Sequence, residues 1–181
     1  MPKKAAAHIK GTSDDQNFWL IKSEADCYSI DDLKRDKKTP WAGVRNFQAR
    51  NFMRDHMKIG DLALFYHSSS TNKNNPNGVY GVAKVASKPY PDMTAYDKND
   101  EHFDLVSFSK RAEALKKKIE YKATWMLVDF AFVEKFKTPF TLSEIKLDSY
   151  LKDMMVCQRG SRLSIQPVSK KHFNYIVTKR Q

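Results

Sequence analysis

The chain has 181 residues, of which 41% are hydrophobic and 12% aromatic, enough for one domain with its own buried core. Its formal charge of +11 predicts a strongly positive face and favours an anionic partner, although surplus lysine also serves as a merely solubilising surface. The two cysteines lie far apart and no apolar run approaches the roughly 18 residues of a membrane span, so structural zinc, a disulfide framework and membrane insertion are disfavoured.

The chain opens on a basic, polar segment that lacks the apolar core of a signal peptide. We expect residues 1–17 to form a disordered basic arm and residues 18–181 to form a single folded domain. Lys3, Lys4 and Lys10 are too few to identify a nuclear signal by themselves. The protein is expected inside the cell, in the nucleus if it is eukaryotic and otherwise in the cytoplasm.

Helix-capping signals mark the starts of three short helices. Ser29 is placed as an N-cap, and Asp32 answers it at the third helical position, as in a capping box. The same device recurs at Thr141 with Glu144, and a third start without an acidic partner is predicted at Ser169.

Hydrophobic periodicity predicts a further helix and a sheet. The apolar residues of Ala49–Met57 recur at helical spacing, Gly60 stands where this helix should stop, and His56 is expected at the edge of the core. Four segments are predicted as strands: Phe18–Lys22, Asp61–His67, Gly78–Lys88 and Thr124–Phe136. Because the middle two are apolar on both faces, we expect a sheet that is covered on both sides or curls into a barrel.

Two polar segments interrupt these elements. Residues 68–77 are rich in Ser and Asn and are expected to form a mobile rim, while residues 97–121 are long, charged and expected to protrude. The basic side chains of the second segment could grip phosphates, or could simply lie on an exposed helix. The predicted phosphate-binding residues are Lys116, Lys117, Lys118 and Arg50.

The segment Gln158–Val168 is the richest recognition motif in the chain. It places two guanidinium groups, two hydroxyls and two amides around Gly160, which permits close backbone approach to a ligand. An arginine fork suits phosphate oxygens or base edges. The alternating apolar residues of the motif are equally typical of an ordinary surface strand behind a basic loop.

Catalytic motifs are weak. His67 and Ser68 are adjacent, and neighbouring strand residues point to opposite faces, so they cannot serve as base and nucleophile. Lys22 and Glu24 share one face and could act as amine and carboxylate in deamidation chemistry, but a solvent-facing ion pair is the commoner arrangement. No catalytic residue, metal or cofactor is assigned.

The turn at Pro40-Trp41-Ala42-Gly43 offers a different kind of chemistry. Trp41 could be exposed there as a platform for a planar base, or could be a core residue that plugs the end of a barrel. Asn46 follows five residues later and could cap the next helix, read a base edge through its amide, or do both.

These residues occur in a recognisable order. The segments Trp19–Glu24 (WLIKSE) and Trp41–Phe52 (WAGVRNFQARNF) are followed by FYHS at 65–68, YPD at 90–92 and RGSRLSIQPV at 159–168. Across residues 18–177 the chain resembles the EVE domain of the thymocyte nuclear protein family. The resemblance implies an α+β, PUA-like fold, in which a curled mixed β-sheet or pseudo-barrel carries short flanking helices.

The resemblance also implies a reader of DNA or RNA that accepts one flipped, modified base, most simply a cytosine derivative. The implied pocket residues are Ser23, Trp41, Asn46, Tyr66, His67, Ser68, Arg159, Ser161, Arg162 and Ser164. Two neighbours keep structural alternatives, since Arg45 could pair with Asp129 and Tyr66 could belong to the core. The pattern departs from the family at Ala42, where an acid is usual, and this departure weakens one polar contact.

Two rival functions remain. A small PUA-like amidohydrolase acting on a modified nucleoside would rely on Lys22 and Glu24, and a protein adaptor would dock an acidic partner on residues 110–118.

Overall fold

The computed structural model describes residues 15–68 and 75–180, and its elements alternate between strands and short helices. The strands are β1 (Phe18–Glu24), β2 (Lys38–Pro40), β3 (Leu62–Ser68), β4 (Gly78–Val85), β5 (Tyr90–Pro91), β6 (Met126–Leu127), β7 (Asp129–Thr141) and β8 (Ile165–Val168). The α-helices are α1 (Ile30–Asp36), α2 (Phe47–Asn51), α3 (Leu105–Lys117), α4 (Leu142–Leu147) and α5 (Lys170–Arg180). A π-helical turn, Phe52–His56, continues α2, and 3₁₀ turns span Met93–Tyr96 and Met155–Cys157.

Six strands form one curled mixed sheet in the order β2-β7-β4-β3-β1-β8, and β5 pairs separately with β6. Among the described strands only the neighbouring pair β1–β3 is parallel, running in register from Phe18 beside Leu62 to Glu24 beside Ser68. Both strands therefore end at the same edge of the sheet. The predicted α+β fold, a curled sheet with short flanking helices, is confirmed.

The sheet is covered on both faces, as the doubly apolar strands predict. Phe18 and Leu20 of β1 lie in a core with Phe173 of α5, whereas Trp19 and Ile21 lie in a second core that includes residues of α1 and α2. This alternation follows from the two-residue period of a strand. Each face of β1 therefore faces a different set of helices and loops.

All three predicted helix starts are present. The Ser29–Asp32 and Thr141–Glu144 pairs both form complete capping boxes. At the start of α5 the Ser169 hydroxyl accepts a hydrogen bond from the His172 amide at 3.3 Å. These devices depend on residues three positions apart, so they can be predicted from local sequence.

The helix predicted at Ala49–Met57 differs in its second half. The chain changes to π-helical geometry at Phe52, and the Met57 amide donates to the Phe52 carbonyl at 2.9 Å, five residues back. This wider turn shifts later residues off the face that an α-helical period defines. His56 is consequently exposed, and its expected place at the edge of the core is wrong.

Several predicted boundaries also shift. The strand expected at 124–136 is divided into β6 and β7, and the segment 97–121 contains α3. Most of the predicted basic arm (1–14) and of the predicted rim (69–74) lies outside the described residues. Within the described part, Asn17 already donates its backbone amide to the Asp61 carboxylate at 3.0 Å, so contacts with the domain begin before residue 18.

Candidate functional site

Two cavities lie beside the edge of the sheet where β1 and β3 end. The first cavity, about 790 Å³, is bounded by the turn 40–46 and the segment 99–102, together with Lys22, Ser23, Tyr28, Thr39, Thr94 and Ser164. The second cavity, about 650 Å³, lies beside the loop 158–162 and is completed by Lys22, Glu24, Tyr66, Ser68, Asn77, Leu142, Lys146, Val156 and Ser164. Lys22 and Ser164 line both cavities and form the wall between them.

Asp92 holds the turn that forms the first cavity. This carboxylate is 1% exposed and accepts hydrogen bonds from the Gly43 amide at 2.9 Å, the Arg45 guanidinium at 2.7 Å, and both the amide and hydroxyl of Thr94. Burial alone would raise the pKa of Asp92, but these hydrogen bonds outweigh it and lower the pKa overall. Arg45 therefore pairs with Asp92, and the alternative of an Arg45–Asp129 pair is wrong. The Asp129 carboxylate instead contacts Lys38 and Tyr90.

The opposite wall of the first cavity is fixed to the same turn. Arg45 donates through Nε to the His102 carbonyl at 2.8 Å. Gly43 has φ +79°, and a Cβ built there would come within 2.6 Å of the His102 ring. Only glycine meets both requirements, the left-handed backbone and the contact with the ring. The turn 40–46 and the segment around His102 can therefore pack together because residue 43 is a glycine.

Trp41 is a core residue with one edge in the first cavity. Its side chain is 8% exposed, and its ring packs edge-on against Phe65 and Phe130 at centroid distances of 5.7 and 5.4 Å. The structure thus supports the core alternative over the freely exposed platform. Trp41 still lines the cavity, so its accessible edge can contact a ligand.

Asn46 meets its predicted capping role and keeps a spare donor. Its side-chain oxygen accepts a hydrogen bond from the Ala49 amide at 3.0 Å, which caps α2. Within the described residues the side-chain NH₂ of Asn46 has no hydrogen-bond acceptor, and this exposed amide lines the first cavity. An NH₂ group can donate to an acceptor on a base edge.

The second cavity is built around Lys22. The Lys22 ammonium donates to the Ser161 carbonyl at 3.2 Å and lies 6.0 Å from the centre of the Tyr66 ring. Burial lowers the pKa of Lys22, and it raises the pKa of the enclosed Tyr66 hydroxyl to about 12. Tyr66 is buried in the core, as its structural alternative proposed. Arg159 and Arg162 are exposed on the rim.

The predicted pocket is therefore divided. Ser23, Trp41 and Asn46 line the first cavity, and Ser164 lines both. Five further residues of the predicted pocket line the second cavity: Tyr66, Ser68, Arg159, Ser161 and Arg162.

His67 lines neither cavity. Its ring is buried, accepts a hydrogen bond from the Ile30 amide at 3.0 Å and stacks on Tyr80 at 3.9 Å. Burial lowers the pKa of His67, in keeping with a neutral ring that accepts this bond. Its contacts hold the start of α1 against β3, so we assign it to the scaffold.

The predicted phosphate-binding residues lie elsewhere. Lys116, Lys117 and Lys118 stand at the end of α3 and line neither cavity, and Lys117 pairs with Glu113 at 2.6 Å. Arg50 donates to the Thr124 carbonyl and to the Asn51 amide oxygen, and its guanidinium lies over two aromatic rings. These contacts occupy Arg50 structurally.

Sequence reasoning missed the far wall of the first cavity. Tyr28, Thr94 and His102 all line it. Tyr28 was interpreted as part of a helix start and His102 as part of a protruding segment, and no role was predicted for Thr94. The signal available in the sequence was Asp92 in the YPD motif, whose carboxylate holds the turn. Among residues 15–68 and 75–180, no cluster of His, Cys, Asp and Glu could hold a metal ion. The same ranges contain no helix long and apolar enough to cross a membrane.

Comparison with known proteins adds a family and several relatives. The model of the EVE domain family matches residues 17–179. Human thymocyte nuclear protein 1 is 36% identical over 98% of this chain and 80% of its own length. A hypothetical protein from Leishmania major has a solved structure with TM-score 0.78, 40% identity and coverage of 93% of this chain and 96% of its own. A crystal structure of human THYN1 protein in complex with DNA containing 5-methylcytosine has TM-score 0.75 and 35% identity, and covers 91% of this chain and 97% of its own.

Proposed function

This chain belongs to the EVE domain family, and we propose that it is a non-catalytic nucleic-acid-binding module that takes one modified, cytosine-derived base into the first cavity. The observation that carries this proposal is the cavity itself, whose lining combines apolar side chains with an amide donor that has no acceptor among the described residues. The human relative that was solved with 5-methylcytosine DNA supports the choice of base. In a eukaryotic cell we expect the protein in the nucleus, because its relatives are named thymocyte nuclear protein 1.

The lining of the first cavity suits a flat base. Pro40, Trp41 and Val44 provide an apolar surface against which a ring and its methyl group can pack. Extruding a base from a duplex costs a few kcal/mol, and stacking returns about 1–3 kcal/mol per base. The spare NH₂ group of Asn46 can donate to the acceptors that the pairing edge of cytosine presents.

Asn46 allows the reading of the base to be separated from the capping of α2. Aspartate caps a helix as well as asparagine does, but it offers an acceptor where the amide offers a donor. We expect Asn46→Asp to retain the thermal stability of the wild type and to weaken binding of a 5-methylcytosine oligonucleotide by about 1–3 kcal/mol, because a donor to the base is lost. Fluorescence anisotropy at fixed salt measures the affinity.

The matched control is Gln48→Glu, which introduces the same charge on the exposed surface of α2 outside the cavity. It should bind the modified oligonucleotide within about twofold of the wild type, since a single exposed charge contributes little. If Asn46→Asp and Gln48→Glu bind alike, Asn46 does not contact the base.

The amidohydrolase alternative requires Lys22 and Glu24 to act together. Lys22 donates to the Ser161 carbonyl, and no ion pair joins it to Glu24 in the described structure. We expect incubation of the protein with N4-acetylcytidine, followed by chromatography, to yield no cytidine above the buffer background. If the wild type produces cytidine and Lys22→Met does not, the protein is a hydrolase and the proposal of a non-catalytic binding module is wrong.

A further inference from the structure

The second cavity is lined by basic side chains, most of which have no partner among residues 15–68 and 75–180. Lys22, Lys146, Arg159 and Arg162 line it, against the single carboxylate of Glu24. Within the described ranges, Lys146, Arg159 and Arg162 have neither an ion-pair nor a hydrogen-bond partner. Three such cations in one concave surface favour an anion, because their fields add and no carboxylate in the described part of the chain pairs with them.

The first cavity has no such surplus of positive charge, since Lys22 and Arg45 in its lining are matched by two acids. Its Arg45 is already paired with Asp92, and the carboxylates of Asp100 and Glu101 lie in its lining. A phosphate placed there would meet these acids, whereas an uncharged base would not be repelled. The two cavities therefore differ in the part of a nucleotide that each can accept.

The two cavities share one wall, so a base in the first cavity and a phosphate in the second would be neighbours. Lys22 and Ser164 line both cavities, and their backbones are joined by a hydrogen bond of 2.8 Å from the Lys22 amide to the Ser164 carbonyl. Gly160 on the second cavity has φ +79° and open space where a side chain would be, so a backbone can approach closely there. If the base of a nucleotide enters the first cavity, its phosphodiester can therefore pass over this wall and reach the second cavity.

We propose that the second cavity is a phosphate subsite, in which Lys146, Arg159 and Arg162 bind the phosphodiester next to the nucleotide whose base occupies the first cavity. The inference rests on the proposed function of the first cavity. In this arrangement Arg159 and Arg162 bind the nucleic-acid backbone and do not read the base. The principal phosphate contacts then lie in the second cavity and not at Lys116, Lys117 and Lys118. Phosphate contacts of this kind fix the register and the orientation of a protein on the nucleic acid.

Neutral phosphate analogues test this assignment directly. The probes are DNA oligonucleotides with one 5-methylcytosine, in which the phosphate on its 5′ or 3′ side is left intact or replaced by an uncharged methylphosphonate. We expect one of these replacements to weaken wild-type binding about tenfold, the usual scale for a charge-assisted hydrogen bond. In a variant carrying Lys146→Gln, Arg159→Gln and Arg162→Gln, the same replacement should change the affinity less than about twofold.

The control variant carries Lys116→Gln, Lys117→Gln and Lys118→Gln, and so removes equal charge at the end of α3. It should keep the full methylphosphonate penalty. The subsite is refuted if the penalty is absent from the wild type, or if it persists undiminished in the second-cavity variant. The proposed function fails separately, and the subsite with it, if the wild type binds 5-methylcytosine and cytosine oligonucleotides equally.

Discussion

Replacing Trp41 by alanine should lower the free energy of unfolding by about 3–5 kcal/mol, the usual cost of removing a large aromatic side chain from a core. The reason is its position, since the ring is 8% exposed and packs edge-on against Phe65 of β3 and Phe130 of β7. Deleting it leaves a void beside these two rings and removes part of the lining of the first cavity. Urea unfolding followed by circular dichroism measures the loss.

Trp41→Phe provides the comparison. Phenylalanine retains most of the apolar volume, so we expect it to lose less stability than the alanine variant and to bind a 5-methylcytosine oligonucleotide more weakly than the wild type. If Trp41→Ala unfolds at the same urea concentration as the wild type and loses only binding, Trp41 is an exposed platform and the packing described for it is incorrect.

The burial of Trp41 could not be predicted from its own segment. A Pro-Trp-Ala-Gly turn is compatible with an exposed ring, and the residues that cover this one, Phe65 and Phe130, stand 24 and 89 positions later in the chain. The capping boxes at Ser29 and Thr141, by contrast, were predicted correctly. They depend on contacts over three residues, which the sequence displays directly.

The division of the pocket has a similar origin. The motif at 158–168 and the turn at Trp41 suggested a single recognition site, because residue types alone do not specify which side of a wall each occupies. That wall depends on the bond between the backbones of Lys22 and Ser164, 142 positions apart. The order of the family motifs was enough to predict the fold, and only the packed structure separates the first cavity from the second.

Asp92→Ala should cost about 3 kcal/mol of stability, near the lower end for a broken buried ion pair, since Arg45 is still 21% exposed. The variant loses the acceptor for the Gly43 amide as well, so the turn that bounds the first cavity should loosen and affinity for the modified oligonucleotide should fall. Asp153→Ala removes an exposed carboxylate and should remain within about 0.5 kcal/mol of the wild type. Chemical unfolding of the three proteins at neutral pH makes the comparison.

Acidification should reduce the difference between wild type and Asp92→Ala. Hydrogen bonds lower the pKa of Asp92 in the folded protein, against the effect of burial, so its ionised form stabilises the fold. That contribution is complete above the ordinary aspartate pKa of about 3.9 and is lost as the pH falls through the lower folded value. The stability difference should therefore be constant from pH 7 to about pH 5 and should shrink below about pH 4. A difference that stayed constant to the acid limit would mean that the lost packing of Asp92, rather than its charge, holds the turn.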